Sequence, residues 1–133
     1  MNTQKYVIAS LAAAVFMFFY GFLVYGVLLT DYLNSVSIPG TFLPEGEENI
    51  MLIALGTLIQ AFGLGLLYTK GHEGKGPMEG VRFGLFVGIF LIGIYVLMAG
   101  LTPYSVQTQL TFGAIDTVMY IGAGVVFAML YKK

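Results

Sequence analysis

The chain has 133 residues, 58% hydrophobic and 10% charged, with a mean hydropathy of +0.86. A soluble domain carries about 25% charged residues, so a surface facing water on every side is excluded and an integral membrane protein is predicted. A net charge of −1 supplies no field for nucleic acid, and the absence of cysteine removes disulfides, thiolate chemistry and cysteine metal sites.

Four apolar runs follow in chain order. The first extends from Tyr6 to about Leu29, longer than the ~7–15-residue core of a signal peptide and without a cleavage-like segment after it, so it reads as a retained helix. The second covers about Ile50 to Tyr68. Pro44-Glu45-Gly46-Glu47-Glu48 precedes it, and acids there complement the helix dipole. The segment "GHEGKGPMEG" at 71–80 has loop composition, and the third run covers about Phe83 to Thr102. Thr102-Pro103 reads as an N-cap followed by proline at the first helical position. The fourth helix should then start in the interface, with its hydrocarbon part at about Leu110 to Tyr131. At ~1.5 Å per residue each run is long enough to cross about 30 Å of hydrocarbon.

Lys5, Lys70, Lys75, Arg82, Lys132 and Lys133 all fall on one side of these spans, while residues 30–49 and 103–109 hold no Lys or Arg. By the positive-inside rule both termini are cytoplasmic, which an even number of spans also requires. The expected fold is an all-α integral membrane protein: one domain, a four-transmembrane-helix bundle. "LLYTK" at 66–70 and "MLYKK" at 129–133 close the second and fourth spans alike, which suggests two tandem hairpins related by an axis along the membrane normal. Interfacial anchoring by Tyr and Lys explains the same endings without duplication.

Lipid removes the hydrophobic drive between helices, so packing relies on small residues. Gly80, Gly84 and Gly88 form one row on the third span, with Gly56 and Gly63 on the second and Gly113 and Gly124 on the fourth. These suit packing within one chain, and the remaining glycine-bearing surface suits another chain.

Little else carries chemistry. His72, the only histidine, stands beside Glu73, short of the three or four ligands a metal needs. A haem would want an axial histidine inside a span. "EGKGP" lacks the full phosphate-loop pattern. The outer acids Asp31, Glu45, Glu47 and Glu48 match no calcium loop, and "SIPGTFLP" at 37–44 is apolar enough to lie in the interface or cover the outer mouth. No cofactor, metal or catalytic set is expected.

Asp116 is the exception. An aspartate at a helix centre costs about 2.5–3.5 kcal/mol on insertion scales, so it should avoid lipid. Its face carries Gln109, Gly113, Tyr120 and Ala123, which should point into the bundle. Thr57, Tyr95 and Tyr25 stand at matching depth, with Gln60 and Tyr20 about one turn deeper. A buried polar layer of Asp116, Thr57, Gln60 and these tyrosines is predicted. In it Asp116 either fixes helix register or titrates along a path opening outward.

"GPMEGVRFGLFVGIF" (76–90), a proline near the outer end of the third span, the ending "GVVFAMLYKK" and "FFYGFLVYGVLL" (18–29) followed by an acid together resemble a widespread family of small four-helix bacterial membrane proteins of unknown function. That resemblance implies the fold and a bacterial inner-membrane location, and it carries no site residues across. The expected function is non-enzymatic association, as a homo-oligomer or an accessory subunit of a larger membrane complex. The alternative is a small proton, cation or small-molecule transport unit using Asp116.

Overall fold

The structure, a computed structural model, describes residues 1–43 and 46–132. Pro44, Glu45 and Lys133, which figured in the expected turn, outer acids, positive side and closing motif, lie outside the described residues. The described chain is all-helical. In order come α1 (Thr3–Leu23), a π-helical segment (Val24–Leu28), α2 (Thr30–Val36), α3 (Ile50–Gly71), α4 (Pro77–Ala99) and α5 (Val106–Leu130). Four stretches are long and apolar enough to cross a membrane: Thr3–Leu28, Ile50–Gly71, Pro77–Ala99 and Val106–Leu130.

Local chemistry explains the boundaries. Asn2, Asn49 and Ser105 cap α1, α3 and α5, each side-chain oxygen accepting from an N–H three residues on (Lys5, Leu52 and Thr108) at 3.1 Å. The fifth helix therefore starts at Val106, not at the expected Thr102-Pro103. Thr102 is taken by the helix before it: its hydroxyl donates to the Met98 carbonyl at 2.8 Å and closes the end of α4. The loop expected at 71–80 is also shorter, because Pro77 occupies the first position of α4, where a missing N–H costs nothing. Gly76 before it holds φ +83°, a conformation that glycine adopts without strain.

The first span is not one regular helix. At Val24 the ladder widens, and Leu29 N–H donates to the Val24 carbonyl at 2.8 Å, five residues back. Beyond it, the outer loop contains the seven-residue α2, unmarked in the sequence reading. Its Tyr32, Leu33 and Val36 are half-buried, while Asp31, Asn34 and Ser35 face outward.

α1 and α5 form the centre. α1 packs on both α3 and α5, whereas α4 packs on α5 and α3 touches α5 only lightly. Small residues set the spacing: Ala9, Ala13 and Ala61 are fully buried between α1 and its neighbours. Along α4, Gly80, Gly84 and Gly88 are buried against α5, where a Cβ would collide with Gly124, Ile121 and Thr117 respectively. Gly113 approaches Ile92 and Tyr95 from the α5 side. Gly56 and Gly63 differ: no described atom lies within 4 Å of a Cβ built on either, so they take no part in packing within the chain.

Both chain ends lie together. The Asn2 N–H donates to the Tyr131 hydroxyl at 3.1 Å, and the Lys5 ammonium donates to the Lys132 carbonyl. The helix directions bring Lys70, Lys75 and Arg82 to this same end. Here Phe127, 1% exposed, stacks on Tyr68 at 5.6 Å and meets Phe83 edge-on at 6.4 Å.

Candidate functional site

Asp116 projects from the middle of α5 and joins three helices. The Tyr25 hydroxyl, from the π-helical segment, donates to Oδ1 at 2.6 Å, and the Tyr95 hydroxyl, from α4, donates to Oδ2. A carboxylate offers about four acceptor sites, so two hydroxyl donors suit it without a cation. π turns are rare and concentrate at functional sites. This one carries the tyrosine that reaches Asp116.

Neighbouring polar groups form separate pairs. The Tyr20 hydroxyl donates to the Ile115 carbonyl at 2.7 Å, next to Asp116 in the chain. The Tyr120 hydroxyl donates to Gln60 Oε1 at 3.4 Å, one turn deeper along α5. Gln60 thus meets Tyr120 and makes no bond to Asp116. Thr57 stands apart: its hydroxyl donates to the Ile53 carbonyl of its own helix at 2.8 Å. It lines an apolar groove with Leu11, Ala14 and Phe18, a correction to its expected place beside Asp116. A threonine hydroxyl satisfied by its own helix needs no partner across the bundle.

On the outer side of Asp116, one turn earlier on α5, the Phe112 ring is buried. Tyr25, Tyr32, Tyr95 and Tyr104 surround it with ring centroids 6.3–6.5 Å away. Phe42, from the apolar segment at 37–44, adds a tilted contact on Tyr104 at 6.3 Å. The acid therefore sits beneath an aromatic cover.

No family model, curated protein or solved structure matches this chain. Function is therefore argued from these residues alone.

A second polar cluster, at the end holding the chain termini, was missed from sequence. Glu79, in the first turn of α4, is 8% exposed. Its Oε1 pairs with His72 Nδ1 at 3.0 Å and accepts the Glu73 N–H at 3.1 Å, while Oε2 accepts the Lys75 N–H at 2.8 Å. Sequence reasoning paired His72 with adjacent Glu73, but the partner is seven residues on. The available signal was an acid two residues after a helix-starting proline. One buried carboxylate thus ties down the α3–α4 loop. Among the described residues no three His, Asp or Glu side chains converge as metal ligands.

Glu79→Ala should leave those donors unpaired. Exchange at the Glu73 and Lys75 amides is expected to accelerate on the order of tenfold, the equivalent of ~1.4 kcal/mol. Mass-resolved hydrogen exchange checks this, and unchanged protection there would show that Glu79 does not order the loop.

Proposed function

We propose that this chain is a multi-pass protein of the bacterial cytoplasmic membrane, with both termini inside, that works by helix association. It acts as a homo-oligomer or as an accessory subunit of a larger membrane complex and performs no catalysis. The collection of Lys5, Lys70, Lys75, Arg82 and Lys132 at one end supports the orientation. The resemblance to small four-helix bacterial membrane proteins agrees with it.

One observation carries the association reading. Gly56 and Gly63, seven residues apart on α3, are exposed and have no described atom within 4 Å of a Cβ position. Leu52 and Ile59 share that face and are exposed as well. Small residues on an uncovered apolar helix face permit close backbone approach by another helix. The alternative, transport through Asp116, has less support, because tyrosine hydroxyls already engage both carboxylate oxygens.

The experiment is purification of the full chain in mild detergent, with mass measured by light scattering alongside Gly56→Leu and Gly63→Leu. The expected result is a complex larger than one chain that falls to the monomer in both variants with helix content retained. A wild-type chain that runs as a monomer with no co-purifying subunit would overturn the reading.

A further inference from the structure

At the end holding the chain termini, α3 and α4 diverge. They are joined through the 72–76 loop and do not pack along one another. Between them opens a cavity of about 380 Å³ lined by Tyr68 and Gly71 from α3, Glu73 and Lys75 from the loop, and Glu79, Arg82, Phe83 and Phe86 from α4. Its charges are arranged unevenly. Lys75 and Glu73 form an ion pair, and Glu79 is engaged by the loop. Arg82 enters no ion pair among the described residues, and its side chain is exposed.

Tyr68 supplies a second, independent observation. The residue is 2% exposed, and its hydroxyl, close to Glu79 but outside hydrogen-bond geometry, has no partner among the described atoms. Buried hydroxyls are normally satisfied, so an unsatisfied one on a cavity wall marks room for a ligand acceptor. Phe86, 70% exposed, continues the wall toward the apolar length of α4. The cavity therefore has a charged rim and an apolar exit along the helix.

We propose that this cavity binds the headgroup of a zwitterionic phospholipid. The phosphodiester accepts from the Arg82 guanidinium and the Tyr68 hydroxyl, the ammonium faces Glu73, and an acyl chain leaves along Phe83 and Phe86. A single phosphodiester matches the one unpaired arginine. With two acids and two bases on the lining, a ligand of zero net charge fits better than an anionic one. Arginine is the side chain best shaped for phosphate oxygens. This rests on the membrane placement above and is independent of the association reading.

The test uses the full chain in mild detergent, stripped of lipid. Short-chain phosphatidylethanolamine, phosphatidylglycerol and diacylglycerol with the same acyl chains, and inorganic phosphate, are each titrated, with bound molecules counted by native mass spectrometry. One phosphatidylethanolamine per chain should be retained, ahead of phosphatidylglycerol, with neither diacylglycerol nor free phosphate held. Arg82→Ala should lower its affinity about tenfold, as expected for one charge-assisted contact, and Tyr68→Phe several-fold. Arg82 is exposed, so its variant keeps the fold, and Tyr68→Phe keeps the ring stacked on Phe127. Equal retention of diacylglycerol, retention of phosphate alone, preference for phosphatidylglycerol, or an unchanged Arg82→Ala affinity would each overturn the proposal. Fractionation of the cell membranes tests the membrane placement separately.

Discussion

Alanine at Gly80 or Gly84 is expected to destabilise the chain by about 3 kcal/mol each, the upper part of the usual range for overpacking. The reason is what the new methyl group would meet. At Gly80 it falls on the backbone of Gly124 and Val125, and at Gly84 on the backbone of Tyr120 and Ile121. A side chain can rotate away, but a helix backbone can yield only by moving α4 off α5. That movement would also pull Tyr95 from Asp116. Gly88 should be milder, because its neighbour is the Thr117 side chain. Gly56→Ala and Gly93→Ala provide the contrast, with no described atom within 4 Å of either Cβ. Within one chain each should gain up to about 1 kcal/mol of helix propensity. Unfolding in mixed detergent, followed by circular dichroism, ranks the series. If Gly80→Ala and Gly84→Ala unfold like the wild type, the close α4–α5 approach is wrong.

That contrast also locates what the sequence could reveal. Spacing alone placed Gly80, Gly84 and Gly88 on one helix face, because four-residue steps nearly complete a turn. Spacing could not say whether α5 or another chain would cover that row, since both use the same small-residue chemistry. Gly56 and Gly63 gave the same signal and have the opposite environment. The helices themselves were legible because ~20-residue apolar runs leave few alternatives. The boundary at Thr102 was not, because Ser105 is an equally good cap three residues later. Asp116 was legible as an inward-facing acid, since Gln109, Gly113, Tyr120 and Ala123 share its stripe and all are buried. Its partners were less so. A depth count assumes regular helices, and the widened turn at Val24–Leu28 alters the register that delivers Tyr25. Thr57 stood at the right depth on a face turned elsewhere. The Glu79 cluster escaped notice because its pairs close through loop backbone, which leaves no side-chain pattern to read.

Substitutions at Asp116 should separate a clamp from a transport site by their order of severity. If the carboxylate holds α1, α4 and α5 together, Asp116→Ala is the worst, stranding two tyrosine hydroxyls at a cost of about 3 kcal/mol. Tyr25→Phe and Tyr95→Phe each remove one donor, and hydrogen bonds between membrane helices average near 0.6 kcal/mol, so about 1 kcal/mol each is expected. Asp116→Asn should be the mildest, because its amide still offers an acceptor to one hydroxyl and a donor to the other. The two tyrosine variants should also couple in a double-mutant cycle, by roughly 0.5 kcal/mol or more, since they share one acceptor group. A transport site predicts a different order. Asn cannot exchange a proton, so Asp116→Asn would abolish proton or cation flux in liposomes as completely as Ala while leaving the fold stable. The Phe112 aromatic cover adds a further distinction. Under the clamp reading Phe112→Ala weakens packing by about 3 kcal/mol and starts no flux. An open path to Asp116 would instead raise flux once that ring is removed. A stable, flux-dead Asp116→Asn chain is therefore the result that would turn the clamp into a carrier.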